Sequence, residues 1–73
     1  MNGRRYVLCV NDGGYRASLI VRRVYRVLPD VKARKHGLLR VIDDSGEDYL
    51  FPEKLFVAVE LPRMAQRVVA RTK

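Results

Sequence analysis

The chain predicts a mainly β domain: five short strands, a short helical insert and a C-terminal helix. Two observations carry that expectation. Apolar, β-branched and aromatic residues gather in short runs, and clusters of Gly, Asn, Asp or Pro separate them. Residues 38–61, LLRVIDDSGEDYLFPEKLFVAVEL, spell two strands joined by a tight polar turn, then a proline kink and a further strand.

Strand one covers about residues 4–10 and stops at Asn11-Asp12-Gly13-Gly14, residue types that tolerate turns and positive φ. The pattern from Tyr15 onward is mixed, Arg22-Arg23 interrupts the apolar stretch Leu19–Leu28, and Pro29 closes it. This reads as a long irregular loop and then strand two near 23–28. Asp30 is a good helix N-cap and Gly37 supplies the left-handed residue that ends a helix, so one or two helical turns are expected over 31–36. Lys32, Arg34, Lys35 and His36 crowd its C-terminal half, where the helix dipole favours positive charge.

Strand three is Leu38–Asp43 and strand four Asp48–Phe51, with Gly46 at the left-handed position of the loop between them. Pro52 cannot donate to a ladder, so Pro52–Leu55 is expected to form one 3₁₀ turn before strand five, Phe56–Glu60. Pro62 suits the first turn of a helix over about 62–71. There Met64, Ala65, Val68 and Val69 share one face, while Arg63, Arg67 and Arg71 recur on another. Helices shorter than about 12 residues are marginal alone in water, so the apolar stripe is expected to dock on the domain or on a partner.

With 73 residues the chain predicts one domain, and at this size only about 60–65% of the unfolded surface is buried. Hydrophobic content of 48% argues for a folded core even though 32% of residues are charged. The apolar run before Asn11 is too short for a signal-peptide core or a membrane span, which predicts a cytoplasmic protein without membrane contact. Cys9, the single cysteine, lies inside an apolar run and reads as a buried structural thiol.

The order of elements resembles the Src-homology-3-like small β-barrel. Tyr49-Leu50-Phe51-Pro52-Glu53-Lys54-Leu55-Phe56-Val57 is similar to the segment where such barrels end a strand in an aromatic-proline pair, make a 3₁₀ turn and enter the last strand. The resemblance implies a five-stranded barrel over residues 1–61, with 62–73 as a basic amphipathic helix or tail packed on it. It implies that Val7, Tyr25, Val27, Leu39, Val41, Phe51 and Phe56 face the core. The texture is also similar to small bacterial proteins that share this barrel. In the peptide-binding members the groove is lined by aromatics; here tryptophan is absent and Leu55 takes a tyrosine position, so a proline-rich ligand is not the expectation.

Charge is segregated along the chain. Of the net +7, residues 16–40 hold eight bases against one acid, and residues 41–60 hold one base against six acids. Arg16, Arg22, Arg23, Arg26, Lys32, Arg34, Lys35 and Arg40 are therefore the candidates for contacting a polyanion, nucleic acid foremost, with Tyr15 as a stacking group. Met64, Val68, Arg63 and Arg67 are the candidates for a protein partner, giving an interaction adaptor that works through the terminal helix or a sheet edge. The turn Asp43, Asp44, Glu47, Asp48 is shorter than the roughly twelve-residue loop a calcium site uses, and His36 has no partner base or nucleophile nearby in sequence. The expectation is a binding module without catalysis, cofactor or metal.

Overall fold

The computed structural model describes residues 5–71, with side chains through residue 68. Strands β1 (Arg5–Cys9), β2 (Val24–Leu28), β3 (Leu38–Ile42), β4 (Asp48–Pro52) and β5 (Phe56–Val59) form one antiparallel sheet in the order β4-β3-β2-β1-β5. Helix α1 (Val31–Lys35) links β2 to β3, a 3₁₀ turn (Glu53–Leu55) links β4 to β5, and α2 (Arg63–Arg71) follows β5. Arg4, expected to open the first strand, and residues 72–73 lie outside the described residues. Strands β4 and β5 are the two outer strands, so the sheet is open at a seam that the 3₁₀ turn crosses rather than closed into the expected barrel.

Alternation decides which side chains enter the core. Cross-strand partners Val7 and Tyr25, Val27 and Val41, and Leu39 and Phe51 share one face, and all are buried. Cys9 and Phe56, also partners, complete that face, and Cys9 has no exposed surface. Burial raises the Cys9 thiol above its ordinary 9.0. Leu55, from the 3₁₀ turn, and Leu19, from the long loop, plug the same core.

Both ends of α1 follow sequence chemistry. Asp30 is extended at φ −158° and its Oδ1 accepts the Ala33 N–H at 2.9 Å. Gly37 takes φ 72°, a value L side chains rarely adopt, and its N–H closes on the Arg34 carbonyl at 3.1 Å. Pro52 belongs to β4 rather than ending it, opposite Leu38. The strand is an edge, so a missing N–H on its outer side removes no ladder bond.

The loop over residues 10–23 is ordered by one polar network. The Tyr25 hydroxyl accepts the Ile20 N–H at 2.8 Å and donates to Asp44 Oδ2 at 2.8 Å. Arg23 adds an ion pair to the other Asp44 oxygen at 3.1 Å, and the Asp44 N–H donates to the Ser18 carbonyl at 3.1 Å. Burial, with the bond to Asp44 adding to it, pushes the Tyr25 hydroxyl well above its ordinary 10.0, so it stays protonated and keeps donating.

Tyr25→Phe leaves the Ile20 N–H and an Asp44 oxygen unpaired and is expected to cost about 1–3 kcal/mol. Tyr49→Phe, which loses an exposed bond from Tyr49 to Glu47, is expected to stay within about 0.5 kcal/mol. Urea unfolding of the two variants beside the parent checks the difference. Cys9 is expected to resist a thiol-specific reagent in the native protein and to react at once in denaturant, which absorbance of the released thiolate reports.

Candidate binding surfaces

Antiparallel pairing, not proximity in sequence, decides where the basic residues meet. Strand β2 is five residues long, about 17 Å, with Arg22 and Arg23 before its start and α1 beyond its end. The block 16–40 is therefore split between opposite ends of the domain. Arg16, Arg22, Arg23 and Tyr15 lie at the loop end, beside the β3–β4 turn. Asp12, Asp43, Asp44 and Glu47 belong to the same loop and turn, and Arg23 pairs with Asp44, so acids outnumber the three arginines.

Within that end, Arg23 is tied to Asp44. Arg22 holds φ 76°, a strained value for arginine, while its N–H donates to the Cys9 carbonyl at 2.7 Å. The Tyr15 ring sits edge-on to Phe51 at 5.1 Å and remains 44% exposed. Asp43 is buried; its Oδ1 accepts the Ser45 N–H at 2.8 Å, and its Oδ2 has no partner among the described residues.

The opposite end is cationic. Ala33 is the buried residue of α1, which turns Lys32, Arg34 and Lys35 outward. Arg26 lies on the sheet face away from the core, flanked across the strands by Tyr6 and Ile42. Arg40 lies on that face too, but it is committed: its Nε donates to Asp30 at 2.8 Å and a terminal nitrogen to Asp48 at 3.0 Å. Pairing also brings in Arg5, which sits opposite Val27 at the α1 end of β2 and which the charge pattern along the chain did not single out.

Helix α2 completes this end, packing on β2. Ala65 and Gln66 are half-buried, whereas Arg63 and Arg67 are exposed, Met64 is 71% exposed and Val68 is 61% exposed. Only part of the expected apolar stripe is thus turned inward; Val69 and Arg71 side chains lie outside the described residues. A cleft of about 490 Å³ opens between β5, α1, the 3₁₀ turn and the start of α2. Its floor is core, Val7, Val27, Leu39 and Phe56, and its rim carries Arg5, Arg34, Glu53 and Glu60.

Counted over the described side chains, the α1 end and outer face gather Arg5, Arg26, Lys32, Arg34, Lys35, Arg40, Arg63 and Arg67 against Asp30, Asp48, Glu53 and Glu60. Among the described residues no group of three or more His, Cys, Asp or Glu is placed to hold a metal ion, and no helix is long and apolar enough to cross a membrane. No protein-family model, curated protein or solved structure matches the chain.

Asp30 joins the two parts of the cationic end, capping α1 with one oxygen and holding Arg40 with the other. The Ala33 N–H first, and Arg40 second, hold its carboxyl below the ordinary 3.8. A value lowered in the folded state means that this stabilisation is complete above 3.8 and is lost as pH falls through the folded value. Melting temperature is therefore expected to drop on acidification from about pH 5 to 2, with a shallower drop for Asp30→Asn and the two curves converging at the acid limit. Circular dichroism melts across that range check it.

Proposed function

We propose that this is a small cytoplasmic, non-catalytic binding module of the Src-homology-3-like kind that contacts nucleic acid through its cationic end. The element order, with the last strand returning beside the first, the long β1–β2 loop and the 3₁₀ turn between β4 and β5, supports the fold part of this reading. One observation carries the functional part: pairing sorts the charge into a cationic end and outer face, and an end where acids prevail. A polyanion is oriented by such a field as well as attracted.

The residues assigned to the phosphate backbone are Lys32, Arg34 and Lys35 of α1, with Arg5 and Arg26 beside them. Arg16, Arg22 and Arg23 contribute little because the acidic turn faces them, and Arg40 serves the cap. Tyr15, at the far end, is outside this surface.

Fluorescence anisotropy with labelled DNA and RNA oligonucleotides tests the reading. Binding at low salt should weaken steeply with added salt. The triple change Lys32→Gln, Arg34→Gln, Lys35→Gln should lower the slope of log K against log salt by about two to three units, at roughly 0.7–0.9 for each phosphate no longer neutralised. Arg16→Gln with Arg22→Gln should leave the slope unchanged. Absence of binding at low salt, or equal reductions in both variants, contradicts the proposal.

A second reading, a protein-interaction adaptor, is favoured by the edge of β5, unpaired among the described residues, and by the exposure of Met64 beside Arg63 and Arg67. The two readings use different surfaces of the same end.

A further inference from the structure

We propose that the nucleic acid held at the cationic end is a duplex, with one phosphate backbone on α1 and the other on α2. This deepens the nucleic-acid reading and rests on it. It assigns Arg63 and Arg67 to phosphate rather than to a protein partner.

The placement of the aromatic residues separates one strand from two. Single strands are held by rings that stack on bases, inside a charged groove that tracks the backbone. The chain has four tyrosines, two phenylalanines and no tryptophan, and all six rings lie among the described residues. Tyr6, Tyr25, Phe51 and Phe56 are buried. Tyr15 packs edge-on against Phe51 at the loop end, and the Tyr49 hydroxyl donates to Glu47 of the β3–β4 turn at 2.8 Å. Both exposed rings are thus held beside the loop and the acidic turn. The cationic end meets its ligand with ammonium and guanidinium groups, which suit phosphates.

Those groups form two rows on helices. Lys32 and Lys35 are three residues apart on α1, with Arg34 beside them, and all three are exposed. Arg63 and Arg67 are four apart on α2, which puts them on one face, and both are exposed. Ion pairs among the described residues engage Arg23 and Arg40 and none of these five. Arg34 of α1 and Gln66 of α2 line the same cleft, so the two rows border it.

A single backbone would have to run along that cleft, and the charge there opposes it. Glu53 and Glu60 share the lining with Arg5 and Arg34, two acids against two bases. A lone strand in the cleft passes both carboxylates. A duplex instead keeps its phosphates on the flanking rows and turns a groove toward the glutamates. It also carries one charge for about every 1.7 Å of axis, against about 3.4 Å for one strand, so it engages both rows at once.

Fluorescence anisotropy of the full chain tests this with labelled duplexes and their separated strands at equal phosphate concentration. The longest dimension of the domain, 30 Å, covers about nine base pairs, so duplexes of about 16 base pairs suffice, one of DNA and one of RNA. A duplex should bind about tenfold or more tighter than either of its strands, and the two arms name its chemistry. Arg63→Gln with Arg67→Gln should lower the duplex slope of log K against log salt by about two units and move the single-strand slope by less than about half a unit. Glu53→Gln with Glu60→Gln should raise single-strand affinity several-fold more than duplex affinity, because it opens the cleft to one backbone. All four substituted side chains are exposed, and circular dichroism melts check that the variants stay folded. Strands that bind as tightly as their duplexes, or a duplex slope unmoved by the α2 change, overturn the inference and leave the nucleic-acid reading standing. Absence of binding by duplexes and strands alike overturns both.

Discussion

The Tyr25 hydroxyl is the contact on which the rest of the domain depends. It is buried at the start of β2, and it joins two segments that share no ladder, the loop at Ile20 and the β3–β4 turn at Asp44. A loop of this length is expensive to order, because each residue fixed loses roughly 1–2 kcal/mol of backbone entropy. Leu19 meets that cost by entering the core with 1% of its surface exposed, and the hydroxyl holds the residue next to it in place. The same bond holds Asp44 against Arg23. Stability and charge layout thus come from one group: fixing the loop over the acidic turn sets three arginines against four acids at that end and leaves the α1 end cationic.

Much of the fold is legible in the chain, and the reasons differ by element. The resemblance implies Val7, Tyr25, Val27, Leu39, Val41, Phe51 and Phe56 as core and all seven are buried, which alternation accounts for, because the period of two leaves little freedom once one face is buried. Asp30 and Gly37 mark α1 because capping and a left-handed exit are local requirements. Leu19 is less legible: it sits in a segment without periodicity, and only the tertiary position of the loop buries it. Tyr6 defeats alternation altogether, since it lies next to Val7 with the opposite parity and is buried by flanking Arg26 and Val59 and by a cleft wall shared with Leu61 and Gln66.

The candidate surface is legible only in its ingredients. The sequence shows a basic block at 16–40, and from a block one expects a face. An antiparallel sheet instead sends the two ends of that block to opposite poles, neutralises Arg23 and Arg40 through carboxylates from distant turns and strands, and adds Arg5 from the first strand. Each of those events depends on long-range register. Charge periodicity along a chain reports a surface only within one helix or strand.

The open seam follows from size. Five strands of four or five residues enclose a core only a few side chains wide, and the last strand places its smallest residue, Ala58, where the wall is thinnest. Ala58 is itself exposed while Val7, Val27, Leu39 and Phe56 behind it stay buried, so the small residue leaves the wall thin without opening the core. The unpartnered Tyr6 hydroxyl adds a polar penalty in the same wall. A domain with so thin a stability margin tolerates such a seam because the Tyr25 network and the capped α1 hold the sheet from its two ends.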